Sequence, residues 1–129
     1  VAFLSHSNYG SSQRPSAIKM REAWQQFAQM CPDVESDGEM HGDAALSELI
    51  RKGNLMDSML HGEANVLICP NVDSANILYN VLKVLAGDGK TVGPILLGAA
   101  KPAHVMTPSS SVRRISYMTA LAVAQGRRG

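Results

Sequence analysis

Short apolar runs alternate with amphipathic stretches along the chain, and that alternation restricts the fold to an α/β layered class with a mainly parallel sheet and flanking helices. Residues 1–5 read as a strand that opens into a small, polar loop over residues 5–12. Pro15 suits a first helical turn, because the N–H it lacks would be unpaired there anyway. From Ser16 to about Met30 the residues Met20, Ala23, Trp24, Phe27 and Met30 recur at threes and fours, which predicts a helix with one buried stripe ended by Pro32. A weak strand is expected around Val34, and Asp43 is placed to cap a helix reaching about Arg51. Residues 64–69 form the clearest strand, a near-continuous apolar run of the kind covered on both faces in parallel sheets. Asp73 or Ser74 then caps a helix whose stripe is Ile77, Leu78, Val81, Leu82 and Leu85, with Gly87 as its terminator. Residues 92–97 and 103–106 read as two further strands. Ser111 caps a last helix from Val112 to about Ala124, with residues 124–129 as a frayed tail.

At 129 residues the chain supplies one domain's core, and its 45% hydrophobic content is ordinary for a globular protein. No run of about 18 apolar residues is present to span a bilayer, and no basic segment followed by an apolar one marks a signal peptide. Cys31 and Cys69 lie far apart, outside any zinc-ligand spacing, which fits a reduced cytoplasmic protein and excludes a disulfide scaffold. The chain opens on an apolar strand rather than Met, and so is expected to be a piece of something longer.

Twelve Lys and Arg against 11 Asp and Glu leave a formal net charge of +1, which by itself points to no nucleic-acid partner. The distribution is uneven. Eight acids lie between residues 31 and 63, whereas no acid follows Asp88 and six cations do. Such a cationic third attracts anions and can meet either a phosphorylated ligand or an acidic protein surface, including another subunit.

Ligands of open α/β sheets bind at the carboxyl ends of the strands. Two loops there have anion-binding chemistry. The first supplies Ser5, Ser7, Gly10, Ser11 and Ser12 just before a helix N-terminus, where hydroxyls, backbone N–H groups and the helix dipole can act together. The second supplies Thr107, Ser109 and Ser110, with Arg113 and Arg114 behind them, and Arg holds phosphate in bidentate fashion. A third segment, residues 37–43, carries three carboxylates and an imidazole, but its spacing matches no metal-binding loop, so no metal ligand is assigned. No Ser or Cys nucleophile sits at a recognisable spacing from His6, His61 or His104, so no catalytic residue is assigned either.

The stretches VAFLSHSNYGSS at residues 1–12, ANVLICPNVDSANILYNVLK at 64–83 and VGPILLGAAKPAHVMTPSSSVRRISYMTALAV at 92–123 resemble the phosphate acetyl/butyryltransferase family. DGEMHGDAAL and GEANVLICPN are similar to one branch of it, the phosphotransacetylase-like C-terminal region of large bacterial NADP-dependent malic enzymes. The resemblance implies a C-terminal portion of a two-lobed fold related to isopropylmalate dehydrogenase, with an acyl-CoA or acyl phosphate site between the lobes. It also implies an upstream domain that decarboxylates malate oxidatively with NADP and Mg or Mn.

Active members of the family carry a Ser-Arg pair after the last strand and an Asp six residues beyond that Arg; here those positions are Thr107, Pro108 and Arg114. Pro108 offers no guanidinium to a phosphate, and Arg114 puts a cation where the family has a carboxylate. The expectation is therefore a regulatory and oligomerisation module that binds acetyl-CoA as an allosteric ligand without transferring its acyl group. It would act on the upstream malic enzyme domain and assemble into a homo-oligomer, with no nucleic-acid or membrane partner. The alternative is a working transferase making acyl-CoA from acyl phosphate and CoA.

Overall fold

The structure, a computed structural model, describes residues 1–54, 58–87 and 91–127. It divides into two compact units, Val1–Leu78 and Tyr79–Gly129.

The first unit is built on a parallel three-stranded sheet in the order β2-β1-β3, formed by β1 (Ala2–Leu4), β2 (Asp37–Met40) and β3 (Leu67–Ile68). Ala2 lies opposite Asp37 on one side and Leu67 on the other, so all three residues of the central strand are buried. Helix α1 (Pro15–Met30) crosses between β1 and β2, with Pro15 in its first turn as the sequence requires. Its stripe is shallower than predicted. Ala17 and Met20 are buried and Phe27 meets the Phe3 ring at 5.5 Å, but Met30 is exposed. Two short helices, α2 (Gly42–Leu46) and α3 (Glu48–Asn54), follow β2. The core gathers Ala2, Leu4, Met40, Ala44, Ala45, Leu60 and Ala64.

Several expectations shift in this unit. The second strand falls at Asp37–Met40 rather than at Val34, which is exposed. Four residues carrying two carboxylates and a glycine are buried there, because each carboxylate has dedicated partners. The single helix expected to reach Arg51 is broken at Ser47, whose extended backbone (φ −143°, ψ 110°) separates α2 from α3. Asp43 does not cap it; His41 holds the N-cap position, and Asp43 accepts from the Ala44 N–H inside the first turn. The strand expected over residues 64–69 shrinks to Leu67–Ile68, which pairs on one side only among the described residues; Leu67 is half-buried and Ile68 exposed.

Gly38 is fixed by the sheet itself. With φ at +157°, a Cβ there would stand 2.7 Å from the Phe3 Cβ and 2.9 Å from the Phe3 carbonyl oxygen.

Helix α4 (Val72–Leu85) begins in the first unit and ends in the second. Neither Asp73 nor Ser74 caps it. Asn71 does, its Oδ1 accepting from the Ser74 N–H at 2.9 Å. Gly87 terminates the segment with φ +78°, as expected. The predicted stripe is present but lies open, with only Leu78 packed against the core.

In the second unit, α5 (Val112–Gly126) starts where predicted, with Ser111 Oγ accepting from the Arg114 N–H at 3.3 Å, and runs past Ala124 to Gly126. Residues 128–129 of the expected tail lie outside the described residues. Residues 92–97 and 103–106 form no strand. An apolar run supplies a preference for burial, but a strand also needs a ladder partner, and neither segment has one among the described residues. No helix among the described residues is long and apolar enough to cross a membrane.

Candidate functional site

The residues singled out in the two loops meet different fates.

In the first unit, the loop between β1 and α1 turns through positive φ at Tyr9 (45°) and Gly10 (89°), the latter a conformation that glycine adopts without strain. The turn aims the loop's donors inward. The Ser7 hydroxyl and the Gly10 N–H donate to Glu39 Oε1 at 2.8 and 2.9 Å. Arg21 closes the other side as a fork, Nε to Glu39 Oε2 and Nη2 to Oε1, both at 2.9 Å, while Nη2 also donates to the Ser12 carbonyl. Glu39 is fully buried. Burial alone would raise its carboxyl pKa, but the bonds from Arg21, Gly10 and Ser7 together outweigh it and hold the group down at about 2. The anion that this nest holds is the protein's own carboxylate.

The remaining serines are likewise engaged. Ser7 is fully buried, accepts from the Ser12 N–H at 3.0 Å and meets Ser11 Oγ at 3.0 Å. Ser5 Oγ accepts from the Ser7 N–H, Ser11 Oγ from the Asn8 N–H, and Ser12 Oγ pairs with His6 Nε2 at 3.1 Å. Sequence reasoning missed Arg21 and Glu39 here; the signal was a carboxylate set inside a strand that has to be buried.

Asp37, the other buried carboxylate of β2, accepts from the Tyr9 hydroxyl at 2.7 Å and from the Ser58 hydroxyl and Met59 N–H at 2.8 Å. Burial and the adjacent carboxylate push the Tyr9 phenol pKa above its ordinary value. The acidic segment over residues 37–43 thus locks the first unit together.

In the second unit, Ser109, Arg113 and Arg114 line a cavity of about 440 Å³ together with Lys83, Thr91, Ser111 and Tyr117. Among the described residues, three cations face this space and no carboxylate lines it. Arg113 is held in place by its partner Tyr117, one turn further along α5. Its Nε donates to the phenol oxygen at 3.0 Å and its guanidinium carbon stands 5.4 Å from the ring centroid. Arg114 Nε is buried without a hydrogen-bond partner among the described residues, an orphaned donor beside the cavity. Thr107 and Ser110 do not line it. The Thr107 hydroxyl instead pairs with Ser109 and Ser110 at 3.0 and 3.3 Å and tightens the turn before α5. Lys83, Thr91 and Tyr117 were not singled out from sequence, because nothing local links the end of α4 to the start of α5. The acid-free stretch after Asp88 was the available signal.

A compact anion-receptive surface before a helix, set on a chain with this sheet, matches a known class. The sequence profile described as phosphate acetyl/butaryl transferase matches residues 1–123, so the chain belongs to that family. A phosphotransacetylase from Streptococcus pyogenes superposes on 99% of the chain with a TM-score of 0.89 at 33% identity, and the chain covers 39% of that protein. Among curated relatives, the NADP-dependent malic enzyme of Escherichia coli is 54% identical over 98% of this chain, and the phosphate acetyltransferase of Paracoccus denitrificans is 42% identical over 97%. The chain spans 17% of the first and 39% of the second.

Proposed function

We propose that this chain is a phosphotransacetylase-like regulatory module of a malic enzyme, one that binds acetyl-CoA through its phosphates and does not transfer the acyl group. The observation that carries the reading is the cavity of the second unit, where Lys83, Arg113 and Arg114 converge and no carboxylate stands among the described lining residues. Coenzyme A carries a diphosphate and a 3′-phosphate, and guanidinium groups bind such oxygens in bidentate pairs. The unpartnered Arg114 Nε supplies a donor that a phosphate oxygen would satisfy.

Acyl transfer from an acyl phosphate needs a group to hold the phosphate and one to take the thiol proton. Thr107 is tied into its own turn, Pro108 has no side-chain donor, and Arg114 is a cation that does not accept a proton. Similarity to malic enzymes supports an upstream domain that decarboxylates malate with NADP and a divalent metal, on which ligand occupancy here would act. Regulation of that kind requires acetyl-CoA to favour one of two conformations of the whole protein.

Incubation of the chain, and of the longer enzyme, with CoA and acetyl phosphate tests the loss of transfer. No acetyl-CoA above the uncatalysed background is expected from either. Steady formation that scales with protein concentration and disappears with Thr107→Ala would overturn the reading in favour of a working transferase.

A further inference from the structure

The Asn8 side chain bridges the β1–α1 loop to the turn between β2 and α2, and its geometry fixes the protonation state of a histidine. The His41 N–H donates to Asn8 Oδ1 at 2.7 Å, which leaves the Asn8 amide nitrogen facing His41 Nδ1 at 3.2 Å. An amide nitrogen donates and does not accept, so Nδ1 is the acceptor of that bond and carries no proton. The other ring nitrogen, Nε2, stands 2.9 Å from the His6 carbonyl oxygen and is therefore the donor. His41 is thus neutral in this arrangement, as the Nε2–H tautomer, and both of its ring bonds reach the same loop.

No side-chain rotation accommodates a proton on Nδ1. The new N–H would face the Asn8 amide hydrogens. Turning the amide over would offer Oδ1 to the ring but set those hydrogens against the His41 backbone N–H. One bond of the clasp is lost either way. The His41 carbonyl is tied to the Ala45 N–H of α2 at 3.1 Å, so the loop is the side released. Release is local, because the Ser5 and Tyr9 N–H groups still donate to the carbonyls of Met40 and Glu39 at 2.8 Å.

The ionisable groups on the segments around His41 have partners of their own. From the loop, His6 pairs with Ser12 and the Tyr9 hydroxyl donates to Asp37. From β2, Glu39 is held by Arg21 of α1, and from α2, Asp43 accepts from the Ala44 N–H. Just past β3, burial pushes the Cys69 thiol pKa up. Among the described residues no carboxylate pairs with the His41 ring.

We propose that His41 is a proton-operated catch on the β1–α1 loop, closed while its ring is neutral and released when Nδ1 takes a proton. The loop and the turn it is clasped to supply Ser5, His6 and Gly42 to a cavity of about 300 Å³ at the carboxyl ends of β1 and β3, so the catch governs one wall of that space. Imidazoles change charge between about pH 5 and 8, the range in which the catch works. The inference stands on the first unit alone and does not require the phosphate reading of the second.

The test follows the ¹⁵N-labelled chain by nuclear magnetic resonance from about pH 8 to 5. Glu39 contributes no change of its own there, since its stabilisation is complete above about pH 4.5. At the upper end the ring nitrogens of His41 should report the Nε2–H tautomer. Protection of the His41 amide, corrected for the intrinsic pH dependence of exchange, should fall about fivefold across the range, the equivalent of ~1 kcal/mol for one neutral hydrogen bond. His41→Gln, which keeps the backbone donor and removes the titrating ring, should give a flat profile. Asn8→Asp should reverse the sign, because a carboxylate accepts from the backbone N–H and from a protonated Nδ1 alike. A protonated Nδ1 at pH 8, a flat wild-type profile, the same fall in His41→Gln, or a fall instead of a rise in Asn8→Asp would each overturn the proposal.

Discussion

Replacing Arg114 by Glu reverses the charge at the second unit's cavity while leaving, or improving, the helix that carries it. Arg114 is the third helical residue of α5, and its N–H already donates to the N-cap Ser111 hydroxyl at 3.3 Å. A Glu at this position would form a capping box, with its carboxylate reaching back to the Ser111 N–H and lying favourably at the positive end of the helix dipole. These effects are each worth a few tenths of a kcal/mol up to about 1 kcal/mol, so the thermal midpoint followed by circular dichroism should hold or rise by about 2–5 °C. Ligand binding should move the opposite way. Loss of a charge-assisted bond costs about 1.5–3 kcal/mol, and a carboxylate about 4 Å from a phosphate adds about 1 kcal/mol or more of repulsion. Together they weaken acetyl-CoA binding by about 100-fold or more in calorimetry. Unchanged affinity would refute the placement of the phosphates at Arg114. A drop in the midpoint would refute the capping argument.

Other perturbations follow from the first unit. Glu39→Gln should destabilise the chain by about 3 kcal/mol in urea unfolding, because it leaves the Arg21 cation without its buried partner. The Glu39 carboxyl is held below its ordinary value, so its stabilisation is complete above about pH 4.5 and is lost as pH falls towards 2. The Gln variant should lack that part of the acid transition, and an identical acid profile would contradict it. Gly38→Ala should cost about 2 kcal/mol or more, since the new Cβ meets Phe3 backbone and Cβ atoms that have no room to yield; a neutral effect on the urea midpoint would count against that packing. Arg51 is fully buried and donates to the carbonyls of Ala44, Leu60 and Gly62. Arg51→Lys, which keeps the charge but loses the fork, should therefore cost about 2 kcal/mol by the same assay, whereas a purely electrostatic role predicts little change.

Where a signal was local, the sequence carried it into the fold. Pro15 opens α1, Ser111 caps α5 and Gly87 ends α4, each through the backbone chemistry of its own segment. What was illegible depends on pairing across the chain. The runs at residues 92–97 and 103–106 have strand composition, yet strandedness is a property of two partners, and no described residue pairs with them. The stripe of α4 was correctly periodic, but periodicity does not name what covers a face. The same limit governs the site. The serine-rich loop had the composition of an anion nest, and a nest it is, occupied by Glu39 across 32 residues of sequence from Ser7. Composition near α5 pointed to Ser109, Arg113 and Arg114, which line the candidate cavity, whereas Lys83 joins them there only through tertiary folding.

Acetyl-CoA held through its phosphates is the interaction on which the proposed regulatory role depends. Calorimetric titration of acetyl-CoA, with free CoA and acetyl phosphate alongside, tests it most directly, on the chain and on the longer malic enzyme. Saturable micromolar binding of both acetyl-CoA and CoA, weakening with salt and much weaker for acetyl phosphate, is the predicted result. No binding of either coenzyme to the chain or to the longer enzyme would contradict it.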